Sequence, residues 1–308
     1  MKYDNTVLGR DNQNPVITGL FADPDIAYFD GKYYIYPTTD GYYNWSGHSF
    51  YVFSSEDGIH YTKEGQILDV ATEEVKWASG HAWAPCIARR EGRYYFYFCA
   101  KDKRGISGIG IASSKSPIGP FCAEEKPLLT LDMMQERNID MNQVIDPSIY
   151  QEGEDYYILF GNGIPAIAKL SKDMTGIDME SLQVIEGALD FTEAITVFKR
   201  DTTYHFTWSC NDTRSEDYHV KYGTSTSLYG PITYHGIILE KEEKEDILGT
   251  GHHSILHLPE EDKYLIAYHR FAKPLEKYPE GKGFHRETCI GQLEFARDGR
   301  LLPVKPRD

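Results

Sequence analysis

The chain of 308 residues has no apolar run long enough to cross a bilayer, which excludes a helical membrane span. Basic residues are also in deficit. Against 47 Asp and Glu there are 32 Lys and Arg, leaving a net charge of −15. Nucleic-acid affinity rests on cationic neutralisation of phosphates, so a nucleic-acid or polyphosphate partner is excluded and a neutral one favoured. Cysteine is sparse. Cys86, Cys99, Cys122, Cys210 and Cys289 are odd in number, widely spaced and without a CxxC pair, so neither a disulfide framework nor a thiolate metal site follows. Three of them lie within or beside apolar strand patterns, as small buried hydrophobes do.

No Pro/Ser-rich linker or low-complexity tract divides the chain, and long amphipathic helices are missing. One domain over residues 1–308 is expected, because large all-β domains reach this length. The first residues, Met1-Lys2-Tyr3-Asp4-Asn5-Thr6-Val7, carry no apolar leader core. Read as a complete chain, the protein is expected in the cytoplasm. Read as a chain already trimmed, it belongs outside the cell or in the periplasm.

What is abundant is tyrosine, with 23 copies, and much of it recurs in a pattern. A β-branched anchor is followed by a polar turn and an aromatic or apolar run. The anchors and the residues opening the runs are Ile26 and Tyr33, Ile87 and Tyr94, Ile149 and Tyr156, Val197 and Tyr204, and Ile255 and Tyr264. Their spacing is seven residues in the first four copies and nine in the last. Successive anchors lie 61, 62, 48 and 58 residues apart, which suits a four-stranded propeller blade with its loops. Second-half strands recur too: Gly110-Ile111-Ala112-Ser113 runs on to Gly119-Pro120, and Tyr222-Gly223-Thr224-Ser225 to Gly230-Pro231. The expected fold is all-β, a five-bladed β-propeller whose active site lies in the central channel. Each unit should carry an inner hairpin and an outer strand pair. A β-sandwich is the competing architecture, and the regular spacing argues against it.

The innermost strand of a blade borders the channel, so residues just ahead of the anchors converge on one funnel. Asp23 lies three before Ile26, Asp146 three before Ile149, and Glu193 four before Val197. A single such acid is ordinary turn chemistry. Three at one channel mouth suffer desolvation and mutual repulsion, which drives their pKa values apart as acid–base catalysis requires. Trp83, four before Ile87, and His252, three before Ile255, take the remaining slots. Trp83 could give the channel a flat apolar wall or simply fill the core. His253 should point away from His252 along the strand.

Several motifs resemble glycoside hydrolase family 43. They are Asn14-Pro15-Val16-Ile17-Thr18-Gly19 running into Ala22-Asp23-Pro24-Asp25-Ile26, then Val144-Ile145-Asp146-Pro147-Ser148, Thr192-Glu193-Ala194, Gly249-Thr250-Gly251-His252-His253-Ser254 and His285-Arg286-Glu287-Thr288. The resemblance runs from about Asn14 to the C-terminus and implies the same propeller. It implies Asp23 as general base, Glu193 as general acid and Asp146 as the carboxylate that tunes and orients the acid. It further implies inversion in one displacement, with acid and base roughly 6.5–9.5 Å apart. Arg286 matches an arginine that contacts sugar or a catalytic carboxylate. His252 matches a channel histidine, in some members beside a calcium held through water, so a structural calcium enters as a candidate while no cofactor is required. Phe21, Trp77 and His81 are candidate pocket neighbours.

Two departures stand out. Glu193-Ala194-Ile195 lacks a proline common after the acid, and the chain ends at Asp308 without room for a C-terminal β-sandwich. Pocket closure is therefore expected from loops such as residues 40–48, or from a partner subunit.

The implied substrate is a small oligosaccharide or a polysaccharide side chain, with exo-release of terminal α-L-arabinofuranosyl or β-D-xylosyl units. The alternatives are an endo-acting arabinanase or xylanase of the same family and, in a different class, a non-catalytic carbohydrate-binding propeller. Retaining fructan-type propellers pair their nucleophile with Arg-Asp-Pro, whereas Ile145 precedes Asp146 here. Binding propellers should repeat one residue in every blade, and here each slot differs.

Overall fold

A computed structural model describes residues 14–278 and 282–308. The N-terminal residues read above for a leader lie outside the described residues. Five sheets follow chain order outward from the axis. Blade 1 is β1 (Phe21–Phe29), β2 (Lys32–Thr39), β3 (Ser49–Ser55) and β4 (Thr62–Asp69). Blade 2 is β5 (Ala78–Arg90), β6 (Arg93–Asp102), β7 (Ser107–Ser114) and the short β8 (Cys122–Ala123), with β9 (Leu129–Thr130) also on β7. Helix α1 (Leu131–Glu136) leads to blade 3: β10 (Ser148–Glu152), β11 (Asp155–Phe160), β12 (Ala166–Leu170) and β13 (Ile177–Val184). Blade 4 holds β14 (Glu193–Arg200), β15 (Thr203–Cys210), β16 (His219–Ser225) and β17 (Thr233–Leu239). Among the described residues, blade 5 holds β18 (Gly251–Leu258), β19 (Lys263–Phe271) and β20 (Arg286–Leu293).

The anchor repeat is the inner hairpin of each blade. Ile26 pairs with Ile35, Ile87 with Phe96, Ile149 with Ile158, Val197 with Phe206 and Ile255 with Ile266. The longer fifth spacing arises because a 3-10 turn, Pro259–Glu261, replaces the tight turn of the other copies. Inner strands touch their neighbours in the cyclic order β1, β5, β10, β14, β18 and back to β1, which closes the ring.

Each blade is buried on both faces, so its strands read as continuous apolar runs rather than alternating ones. In β2, Tyr34 and Tyr36 enter the cluster shared with blade 2, while Ile35 enters the one shared with blade 5. The core accordingly consists of five inter-blade clusters, centred on residues such as Phe96, Ile158, Phe206, Ile266 and Ile35.

Blade 5 departs from the expected outer pair. Its third strand, β20, meets the N-terminal segment instead: the Val16 amide donates to Thr288 O at 3.0 Å. Asn14 seals this seam. Its Nδ2 donates to Ile290 O (3.2 Å) and Arg307 O (2.9 Å), and its Oδ1 accepts from Ile290 N (2.9 Å). The side chain thus takes the place of a missing stretch of ladder. Beside it the buried Arg270 pairs with Glu287 at 2.9 Å and with Asp308 at 2.6 Å.

Candidate active site

A left-handed residue stands three positions before every anchor. Asp23 (φ 47°), Ala84 (φ 34°), Asp146 (φ 60°), Ala194 (φ 58°) and His252 (φ 37°) precede Ile26, Ile87, Ile149, Val197 and Ile255. Four of the inner hairpins shift register at this point. Such a bulge re-aims side chains at the end of a strand. It also corrects the slot assignment made from spacing. The equivalents of Asp23 are Ala84 and Ala194, and Trp83 and Glu193 stand one residue ahead of them. All five blades still deliver a side chain to the same place, because Asp23, Trp83, Asp146, Glu193 and His252 line one cavity of about 330 Å³.

Asp23 is buried, and its Oδ1 gathers three nitrogens: Arg286 Nη1 at 3.0 Å, His269 Nδ1 at 2.9 Å and His252 Nδ1 at 3.4 Å. Oδ2 has no hydrogen bond among the described residues. Burial pushes the Asp23 carboxyl upward, but Arg286, His252 and His269 outweigh it and hold it well below the usual carboxylate range. Burial and the Arg286 charge push His269 down to about 3. Its imidazole is therefore neutral near pH 7; Nδ1 lies 2.9 Å from Asp23 Oδ1 and 3.4 Å from the Asp23 amide, and Nε2 is without a partner. Arg286 is itself fixed by Asp40, which accepts Nε at 2.8 Å, Nη2 at 3.3 Å and the Arg286 amide at 2.9 Å. This fork holds one guanidinium between two buried carboxylates.

Glu193 sits under the opposite electrostatic balance. Oε1 accepts from Tyr218 Oη at 2.7 Å and Oε2 from Asn162 Nδ2 at 3.0 Å. Burial raises its carboxyl above the usual range, and the nearby Asp23 charge adds to that despite His252 and Tyr218. Asp146 is raised further by burial, Glu193 and Asp23. Its amide donates to Cys99 Sγ at 3.1 Å, and its buried Oδ2 has no hydrogen bond. A buried acceptor without a partner is rare and costly, and it marks a group waiting for a ligand or a proton. The arrangement separates one carboxylate stabilised as the anion from two held toward the neutral acid.

Residues 12–301 match the family described as glycosyl hydrolases family 43. The chain belongs to glycosyl hydrolase family 43. It is 28% identical to a xylosidase/arabinosidase of Bacteroides ovatus, over 93% of this chain and 95% of that protein. Its fold matches the GH43_1 enzyme of Xanthomonas citri complexed with xylotriose, with TM-score 0.78 and 26% identity over 97% of this chain and 96% of that one. It also matches a GH43 beta-xylosidase/alpha-arabinofuranosidase from a compost microbial metagenome, in complex with xylotriose in a calcium-free form. There the TM-score is 0.76, with 27% identity over 93% of this chain and 95% of that one.

The structure draws the family-43 pocket more narrowly than its motifs did. Asp23, Asp146, Glu193, His252, Arg286 and Trp83 line the cavity, whereas three candidate neighbours do not. Phe21 is buried in the core between blades 5 and 1, its ring 4.9 Å from Phe53. Trp77 stacks on Phe98 at 6.1 Å, between blades 1 and 2. His81 packs edge-on against Trp83 at 5.3 Å, outside the cavity lining. His253 turns away as expected, its Nε2 2.6 Å from Thr207 Oγ1.

The loop over residues 40–48 does supply a wall, through Trp45. Trp45 Nε1 donates to Gly283 O at 2.6 Å, and its carbonyl accepts Trp83 Nε1 at 2.7 Å. Sequence reasoning missed Trp45, Asp40, Asn162, Tyr218 and His269, and also Thr213, whose Oγ1 accepts from Arg286 Nη1 at 3.3 Å on the cavity wall. Asn162 is masked by the turn signature Gly161-Asn162-Gly163, and Tyr218 is one tyrosine among 23.

Asp146, Glu193 and His252 each offer one ligand atom, all within 4.8 Å of one another. Calcium wants six to eight oxygens. One of these three donors is a nitrogen, and both Glu193 oxygens already accept hydrogen bonds. As direct ligands the trio does not fit calcium.

Proposed function

We propose that this propeller is an inverting exo-glycosidase that releases terminal β-D-xylosyl or α-L-arabinofuranosyl units from oligosaccharides or polysaccharide side chains. The observation that carries it is the opposed electrostatics of Asp23 and Glu193 across one cavity. Asp23, kept ionised, takes a proton through Oδ2 from a water, whose oxygen forms the new bond to the anomeric carbon. Glu193 gives its proton to the glycosidic oxygen, which leaves with the electron pair of the breaking carbon–oxygen bond. Burial and the Asp23 charge keep Glu193 protonated until that moment, and Asp146, within 4.8 Å of it, orients the acid. Arg286 fixes the direction of the base. Trp45 and Trp83 supply flat apolar walls suited to a sugar face. The names of the Bacteroides ovatus and compost relatives, each joining xylose-type and arabinose-type activity, support a pocket that accepts either pentose.

The test is proton NMR of the first products from xylobiose and from an arabinofuranosyl-substituted xylo-oligosaccharide. Release of a monosaccharide whose initial anomer is opposite to that of the bond cleaved is expected. A ladder of oligomers, or retention of configuration, would reject the proposal.

A further inference from the structure

Two side chains donate to Glu193, Tyr218 on one oxygen and Asn162 on the other, and each has a polar neighbour behind it. The His252 backbone amide, a donor by nature, donates to Ser209 Oγ at 3.0 Å. Ser209 also lies beside the Tyr218 phenol, and a hydroxyl that accepts from His252 still has its own proton to offer there. Burial and the Glu193 charge keep the Tyr218 phenol protonated, and it donates to Glu193 Oε1, 2.7 Å away. On the other side, Asn142 Nδ2 donates to Asn162 Oδ1 at 3.2 Å, which turns Asn162 Nδ2 toward Glu193 Oε2 at 3.0 Å.

Tyr218 is also locked in place. It is fully buried and stacked on His269 with rings 5.5 Å apart and 4° from parallel. A methyl group on Gly251 would lie 2.3 Å from its ring, so nothing larger than glycine fits behind it.

We propose that Tyr218, oriented by Ser209, is a positioning residue that stabilises the Glu193 carboxylate as its proton departs to the glycosidic oxygen. This rests on the reading of Glu193 as general acid. No proton travels along the chain. The Glu193 O–H bond breaks, the proton joins the leaving oxygen, and the Tyr218 hydrogen bond strengthens because its acceptor has become an anion. An interaction stronger in the transition state than in the ground state raises kcat and leaves binding alone. Directed chains polarise one another, so Ser209 should contribute through Tyr218.

The experiment compares Tyr218→Phe, Ser209→Ala and Glu193→Ala on xylobiose and on 2,4-dinitrophenyl β-D-xyloside, whose leaving group departs without a proton. Phenylalanine keeps the stacking on His269 and the packing against Gly251. For Tyr218→Phe, kcat on xylobiose should fall on the order of 10- to 100-fold with KM within about twofold, while the dinitrophenyl substrate stays within about threefold of wild type. Ser209→Ala should show the same pattern at about 3- to 10-fold, and it carries the test if Tyr218→Phe does not fold. Equal loss on both substrates, or loss on neither, overturns the role of Tyr218. Glu193→Ala judges the underlying reading separately. It should abolish xylobiose cleavage and spare the activated substrate, and equal loss on both rejects Glu193 as the acid whatever Tyr218 does.

Discussion

Asp23 and Glu193 are both carboxylic acids buried in one cavity, yet their surroundings pull them apart. Arg286, His252 and His269 press on Asp23, whereas burial and neighbouring acids act on Glu193. The sign of the pH dependence follows. Activity needs Asp23 ionised and Glu193 protonated. The depressed Asp23 pKa moves the acidic limb below the ordinary aspartate range, and the raised Glu193 pKa moves the alkaline limb above the ordinary glutamate range. A bell-shaped kcat/KM profile is expected, its acidic limb moving upward in Arg286→Lys, where the charge stays but the fork is lost. An unmoved limb would exclude Arg286 as the group holding Asp23. The acids, the histidine and the arginine were legible in the sequence because each stands in a short, distinctive motif. Asp40, His269 and Tyr218 were not, because each meets the site only after the chain has returned from another part of the ring.

At the scale of the element, the inner hairpin is the unit that both builds and arms the protein. Its apolar runs were legible because strands buried on both faces need continuous apolar residues. The left-handed position was hidden, because Asp, Ala and His share no side-chain signature for it. A non-glycine residue there costs roughly 1–2 kcal/mol of backbone strain. Ala84 isolates that cost from the chemistry, its side chain being a methyl group. Ala84→Gly is expected to change stability by less than about 1 kcal/mol, since relief of strain offsets the freer unfolded chain. Ala84→Val should lose about 2 kcal/mol or more, because a β-branched residue fits that region worst. Urea unfolding of the two variants measures the difference, and equal stabilities would remove strain from the account.

Over the whole molecule, the count of blades was readable from the anchors, and the three-stranded fifth blade of the described residues was not. The seam depends on Asn14, whose resemblance to a family motif gave no hint that its amide would stand in for a strand. Asn14→Ala leaves the Ile290 amide and two carbonyls without this partner in a buried place. The expected loss is about 2–3 kcal/mol in equilibrium unfolding, with kcat nearly unchanged because the seam lies outside the cavity. Unchanged stability would mean that the ring is held by its inter-blade clusters alone.

The same seam has a consequence for how the chain can be ordered. Asn14 reaches Arg307 O at 2.9 Å, so the two ends of the described chain meet at one joint of a closed ring. No blade is first in any physical sense. The five side chains of the site arrive from five different hairpins, so their meeting depends on the circle being complete and not on where along it translation starts. A rearranged gene that joined these ends and opened a surface turn elsewhere would encode the same circle of blades, and with it the same cavity.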